Sequence, residues 1–495
     1  MNKKVVVIGG GIAGLSAGVY AIKCGFDVTI LEGHSMAGGI CTSWKRKGYL
    51  FEGGMHWLAG SSTKQPMNKM WRHIGALDDG VAIGYGEPFM EYNHKGSPIR
   101  IYRDVESTER HLLELSPADS KELKAFCNSI RKLGSFIEPI QDLKGVKATK
   151  KNRASLSALF SLLPVISVMG AYSKVSVEQY ADRFTHEGIR EMFRAMPGSE
   201  QGIAMLIMTL GALARGDGGF PEGGSLPFVE RIVNTFTSLG GEILYNTRAD
   251  KVVIENCMAV GIMAGGERMP ADAVIVASDT MAIDRFFDTS PKAHWLERMR
   301  SVTEPTSATF VSLGIDADLS HYPERPLIRL RKPIEISNIT IESLLLANYA
   351  ADPVYSPEGK SVITVQLPGD TYDYWKALKE DSDGKYADEK KRVGDEVIAE
   401  ISAFMPEADG KIEVCNVATP LTYERYCGNW KGSWMTAITP DMKFKAYPSV
   451  IKGLNGVYFA GQRMNPPGGL PAALMSSRKA VQYLCRDTDT LFISE

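Results

Sequence analysis

The sequence predicts an α/β protein built around a parallel sheet, and three stretches predict it. A strand, a glycine loop and a helix occupy the first 24 residues; strand patterns recur between residues 241 and 278; a final strand, a proline–glycine turn and a helix run from residue 456 to 485. Because the three lie far apart in the chain, the domain they build is expected to be discontinuous.

The first element is the β-branched run Val5-Val6-Val7-Ile8, which suits a strand buried on both faces of a parallel sheet. Gly9, Gly11 and Gly14 follow at once in the spacing G-x-G-x-x-G. The first glycine permits the tight turn, the second lets a pyrophosphate approach the backbone, and the third allows close helix–strand packing. Residues 12–24 read as a helix whose first amides would face the phosphates. A second strand, Asp27–Leu31, ends in Glu32, 18 residues after Gly14, where a carboxylate can accept both hydroxyls of a ribose. Its charge would repel a 2′-phosphate, which disfavours NADP.

FAD and NAD share this βαβ unit, and three later features favour FAD. Gly38-Gly39 and the run Gly48–Trp57 place side-chain-free points where backbone can lie against a large flat ligand. The helix pattern Leu226–Leu239 is followed by strand patterns at Gly241–Leu244, Lys251–Ile254 and Ala273–Ser278, read as returning to the first sheet. Gly456–Gly461 is another buried-strand pattern; it leads through Pro466–Pro471 into the helix Ala472–Cys485. Pro471 suits a first helical turn, and the positive end of that helix would favour negative charge on a reduced flavin ring.

Composition bounds the rest. The chain has 495 residues, 44% hydrophobic and 23% charged, as expected of a globular protein of about two to four domains. A net charge of -2 supplies no basic field for nucleic acid. Seven scattered cysteines form no C-x-x-C pair and no metal-ligand spacing, so reduced thiols, a cytoplasmic location and no metal site are expected. The apolar run at Val5–Ile8 is too short for a secretory signal. No hydrolase elbow, P-loop or second-nucleotide signature occurs, and Gly261–Gly266 reads as a hairpin. That leaves oxygen, a quinone or a protein as the electron partner.

The stretches Val5–Glu32, Gly38–Trp57, Phe220–Ser278 and Gly456–Leu484 resemble the phytoene desaturase-like flavoproteins, the group of carotenoid desaturases, carotenoid isomerases and retinol saturase. The resemblance implies a GR2-type, Rossmann-like FAD-binding domain with a discontinuous α+β substrate domain and a helical lid. It places Gly9, Gly11, Ile12, Ala13 and Gly14 at the pyrophosphate and Glu32 at the adenosine ribose. Gly38, Gly39 and Ile40 would lie along the phosphates and flavin, with the backbone of Val252 at the adenine. Gly461 and Gln462 would meet the ribityl chain; Leu470, Pro471 and Ala473 the pyrimidine edge; Met55 and His56 the reactive ring. Relatives often carry arginine where this chain has Ile40 and an acid where it has Gln462; the glutamine can still hydrogen-bond there.

The implied activity is that of an FAD-dependent oxidoreductase, a desaturase or saturase acting on an apolar polyene or isoprenoid-like molecule. Alternatives on this fold are a flavin-dependent cis–trans isomerase, an amine or porphyrinogen oxidase, and a non-enzymatic prenyl or lipid carrier. Intact Gly9, Gly11, Gly14 and Glu32 argue against the carrier. Residues 1–85, 216–285 and 441–495 are assigned to the FAD-binding domain, 86–215 to the helical lid and 286–440 to the substrate domain.

On the substrate side, Thr309–Gly314 and Val362–Leu367 read as strands, Asp381–Lys385 as a solvated loop and Glu389–Met405 as an amphipathic helix. Lys144, Lys147, Lys150, Lys151 and Arg153 precede an uncharged stretch, Ala154–Ser173, long enough to span a membrane. Pro164, Gly170 and five serines oppose spanning. A buried helix pair and a peripheral membrane contact through residues 144–173 both stand, the latter at an inner membrane surface. Met205 and Met208, with Met192 and Met196, fit either an adaptable apolar pocket or a core. Tyr423, Tyr426, Trp430 and Trp434 fit either a pocket wall or core aromatics, and Trp57 is expected against the ring or the substrate. His56 is the candidate catalytic group, an imidazole able to exchange a proton near neutral pH, with a structural hydrogen bond as the alternative. Cys41 is a further candidate, for a redox thiol or a covalent flavin link.

Overall fold

The computed structural model describes residues 2–137, 140–150, 152, 162–196, 198–199, 202–381, 383–437 and 445–494. One layer holds β1 (Lys4–Ile8), α1 (Ile12–Lys23), β2 (Asp27–Leu31), α2 (Ser225–Ser238), β3 (Glu242–Leu244), β4 (Ala273–Val276), β5 (Val457–Phe459) and α3 (Gly469–Asp487). The strands form a parallel sheet in the order β5-β4-β1-β2-β3. Val6 stands opposite Thr29 on one side and Val274 on the other, and Ile275 opposite Tyr458. Residues 5–8 are each at most 4% exposed, as the unbroken β-branched run requires. Ile12, Val19, Phe228, Phe236 and Leu484 cover one face of the sheet; Val252, Ile262, Phe286 and Met299 cover the other.

Lys251–Ile254 corrects the sequence reading. It lies in Ala249–Glu255, which joins not the parallel sheet but an antiparallel three-stranded sheet with Met258–Ala264 and Glu267–Pro270. The burial shows the difference: of the seven residues Ala249–Glu255 only Val252 is buried, whereas all four residues of β4 are, as a strand covered on both faces requires. The hairpin turn falls at Gly265-Gly266; Gly261 lies inside a strand.

A second, seven-stranded sheet runs Ile412–Ala418, Ala308–Ile315, Ser361–Pro368, Ile339–Asn348, Pro326–Ile336, Met90–His94, Ser97–Ile101. The two strands read from sequence are direct neighbours, with Thr309 opposite Leu367 and Gly314 opposite Val362. The helix Lys385–Phe404 lays Val393, Val397 and Ile401 into the core of this sheet. Residues 90–101, read with the lid, complete its edge instead, through a parallel pairing of Glu91 with Pro326.

Helices Ser120–Gly134, Leu163–Tyr172, Glu187–Ala195 and Ile203–Ala214 enclose a third core with Phe126, Tyr180, Phe184 and Phe193 at its centre. Met192 and Met196 are buried there, and Met208 packs against it. Residues 154–161 of the uncharged stretch, with Lys151 and Arg153 before it, lie outside the described residues. The helix that follows turns Val168 and Tyr172 inward and leaves Leu163 and Ile166 more than half exposed, so it is a surface helix with an apolar outer face. The basic run before it is tied to the chain's end: Phe492 donates to the Lys147 carbonyl, Thr149 donates to the Phe492 carbonyl, and Lys147 pairs with Asp489. Among the described residues no helix is long and apolar enough to cross a membrane.

Candidate active site

A cavity of about 900 Å³ runs from the carboxyl ends of β1 and β2 to the start of α3. At the β-strand end the Gly9 amide donates to the Leu31 carbonyl and the Gly38 amide to the Gly10 carbonyl, so the paired glycines strap the first loop in place. α1 begins at Ile12 with no side chain capping it, which leaves its first amides available to a ligand. Gly9, Gly11, Ile12, Ala13, Gly38, Gly39 and Ile40 form this wall. Gly14 does not. A Cβ on it would lie 1.8 Å from the Gly9 carbonyl oxygen, and its absence lets α1 sit against the β1 turn.

Glu32 closes that end. Its carboxylate accepts from the Gly10 amide and the His34 amide, both at 2.8 Å. Burial pushes its pKa up, and the two amides oppose the shift. Thr247, Arg248, Ala249 and Asp250 complete the wall; Val252, expected at the adenine, is buried in the core behind them.

The opposite end is assembled from distant segments. Gly461, Gln462, Leu470, Pro471 and Ala473 line it as α3 begins, and the Gln462 side-chain oxygen accepts from the Gly469 amide. Met55, His56 and Trp57 are set by the buried Glu52. That carboxylate accepts from the amides of Gly54, Met55 and Ser225 and from the hydroxyls of Ser225, Ser43 and Tyr355. Glu52 therefore pins the loop to the first turn of α2, a favourable place for negative charge. Met205 reaches the wall from the helix Ile203–Ala214.

Of the late aromatics, Tyr426 and Trp434 line the cavity. Tyr423 is core: its hydroxyl donates to the Gly53 carbonyl and its ring packs on Phe310. Trp430, expected in the pocket, is absent from the wall. Lys431 takes a left-handed conformation (φ 50°) beside it, the Trp430 amide donates to Asp279, and its ring lies 5.6 Å from the Arg463 guanidinium. Arg463 and Asp279 form an ion pair at 2.8 Å in which both side chains are at most 3% exposed.

For His56, the expected proton exchanger near neutral pH, two influences oppose the charged form. Burial first, and the Arg325 cation second, push its imidazole down to about 3. It is a neutral ring stacked on Phe310 and facing the Gln366 side-chain amide. Burial likewise pushes the Cys41 thiol up to about 12, which leaves little thiolate for redox chemistry. Gln366, Glu52, Asp279 and Arg325 had escaped the sequence reading; Gln366 sits in a strand found there, but its reach to His56 depends on the packing of separate sheets.

The histidines carry a prediction. His73 is also held down at about 3, by burial first and then by Lys23 and Arg478. In the unfolded chain both take up protons near pH 6.5, and in the folded one only near 3. Acidification from pH 6.5 towards 3 should therefore lower the thermal midpoint, whereas the stability due to these two groups is fully present above pH 6.5. Replacing both with glutamine should flatten that slope in a pH series of thermal melts.

Glycines at one end, a ribose-spacing carboxylate beside them, an uncapped helix start and a second helix start at the far end suit a dinucleotide with a flat ring. The model of one protein family, the flavin containing amine oxidoreductases, matches residues 12–485. The chain belongs to that family. This flavin-containing amine oxidoreductase takes FAD as its cofactor and is an oxidoreductase. It is 22% identical to the all-trans-retinol 13,14-reductase of Danio rerio, over 86% of this chain and 76% of that protein. It is 24% identical to the 4,4'-diapolycopene oxygenase of a Methylomonas species, over 96% and 97%. Putrescine oxidase with bound putrescine shares the fold at a TM-score of 0.61 and 14% identity, over 98% of this chain and 99% of that one.

Proposed function

We propose that this oxidoreductase adds or removes hydrogen across a carbon–carbon bond of an apolar polyene or isoprenoid-like molecule. The observation that carries this reading is the wall beyond the nucleotide end: Met55, Trp57, Met205, Trp434, Met435 and Leu470 are apolar, and they converge from four separate segments. The relatives named for retinol and diapolycopene support it. Bound FAD would supply the hydride acceptor or donor. Gly9, Gly11, Ile12, Ala13, Gly38, Gly39 and Ile40 would hold the pyrophosphate, with Gly14 keeping α1 close enough to do so. Glu32 would hold the ribose, Gly461 and Gln462 the ribityl chain. Leu470, Pro471 and Ala473 would hold the ring edge at the positive end of α3. Met55, Trp57 and Met205 would orient the substrate and exclude water, and neutral His56 would serve as a hydrogen-bonding group.

The amine oxidase alternative is disfavoured by charge. The partly buried Arg325 guanidinium donates to the His56 carbonyl beside this wall and would repel an ammonium substrate. The exposed Leu163 and Ile166 support peripheral contact with a membrane, by which an apolar substrate would arrive. Residues 1–85, 216–285 and 441–495 would act as the cofactor unit, with 86–215 and 286–440 enclosing the substrate.

The test has two stages. Denaturing the purified protein should release FAD in near-stoichiometric amount. The loaded enzyme is then given retinol and a linear carotenoid in detergent or liposomes, with products read by mass. A change of two hydrogens supports the proposal; a rearranged product of unchanged mass under every flavin redox state would replace it with isomerisation.

A further inference from the structure

Arg325 precedes the strand Pro326–Ile336 and is partly buried. Its guanidinium donates to the carbonyl of His56 and lies 5.9 Å from the ring of Trp57 and 6.0 Å from that of Phe89. His56 and Trp57 are cavity wall, so the guanidinium lies directly against residues that line the cavity. Burial lowers its pKa, and the more distant Tyr349 and Glu324 oppose the shift. Among the described residues no carboxylate lies within ion-pair distance of it, and the His56 carbonyl is its one hydrogen-bond acceptor. The buried carboxylate in this region, Glu52, is engaged by the six donors named above. A second cation, Arg103, lies 5.7 Å from the Phe89 ring; its guanidinium donates to the carbonyls of Gly86, Asp217 and Gly218, and the Glu87 carboxylate, which accepts from the Arg103 amide, offsets its charge.

A cation partly withdrawn from water with no carboxylate in ion-pair distance is costly, and it persists where something in the working protein balances it. A planar guanidinium with donors left over from one backbone carbonyl matches one carboxylate through paired hydrogen bonds. We propose that Arg325 anchors a carboxylate at the end of the apolar substrate, so that the ligand is an amphipathic acid and not a pure hydrocarbon. The inference rests on the reading of this cavity as the site of an apolar substrate. The anchored acid would stand beside His56 and Trp57, with the chain running along Met205 and Leu470. A monoanion offsets the one unpaired charge; a doubly charged phosphate would leave a net negative charge in an apolar wall.

The experiment uses the full-length, FAD-loaded protein and two pairs of probes: retinoate with its methyl ester, and oleate with methyl oleate. Affinities are read from quenching of tryptophan fluorescence, to which Trp57 contributes. At least one acid is expected to bind about tenfold or more tightly than its ester. Arg325→Met should abolish that preference while ester affinity and flavin content stay unchanged, and Arg325→Lys should restore part of it. Equal affinity of acid and ester in the native protein, or a preference that survives Arg325→Met, overturns the anchor while leaving the apolar cavity intact. Failure of both acids and both esters to bind overturns the anchor and the substrate reading together. Should Arg325→Met not fold, the native acid–ester comparison and Arg325→Gln decide the matter.

Discussion

Replacing Gly14 with alanine is expected to yield a protein that retains no FAD. The added Cβ would fall 1.8 Å from the Gly9 carbonyl oxygen and 2.9 Å from its carbon, backbone atoms held by the parallel sheet. A flexible side chain could swing away from such an overlap; a β-strand turn cannot. Either α1 lifts from β1 or the turn at Gly9 distorts. Both movements pull the first amides of α1 away from the loop strapped by Gly38, although Gly14 itself does not line the cavity. Overpacking of this kind costs about 1–3 kcal/mol, more where nothing yields, and here it also removes the stabilisation that a bound ligand confers. The visible flavin spectrum of the purified variant and its thermal midpoint with and without added FAD check this. Full flavin content in Gly14→Ala would mean that α1 can move without cost to the site.

The second large effect is expected at Asp279, which stands just after β4 and is nowhere on a motif. Its carboxylate binds the buried Arg463 guanidinium through two oxygens and accepts the Trp430 and Met281 amides. Asp279→Asn should cost about 3–5 kcal/mol, because the guanidinium would stay buried with no counter-charge. Arg463 also donates to the Met435 carbonyl and to the hydroxyls of Thr436 and Ser433, so the loss should spread to the segment that carries Trp434 to the wall. Thermal melts of Asp279→Asn, Arg463→Met and the double variant check this. The double variant should be less destabilised than the sum of the singles, because the second change removes the stranded charge that the first creates.

Much of the cofactor end was legible from local pattern. A β-branched run fits between two neighbouring strands because both its faces are buried; a glycine at a backbone contact has no substitute; an acid at the end of β2 is placed by the strand itself. Where local pattern misled, a longer-range fact decided. Lys251–Ile254 carries strand chemistry, and only its partners determine that it joins an antiparallel sheet. Trp430 shares an aromatic segment with Trp434, and the left-handed turn at Lys431 sends one away from the wall and leaves the other on it. Met205 and Met192 look alike in sequence; one lines the cavity and the other lies in the core of the helical region.

By itself the sequence determined the βαβ unit, the strands that rejoin it late in the chain and the acid at the end of β2, because each depends on residues adjacent in the chain. The tertiary structure alone decided the charge state of His56, the counter-ion of Arg463 and the unpaired cation at Arg325. The physical reason is that a pKa or an ion pair depends on desolvation and on charges a few ångströms away, here supplied by residues hundreds of positions apart.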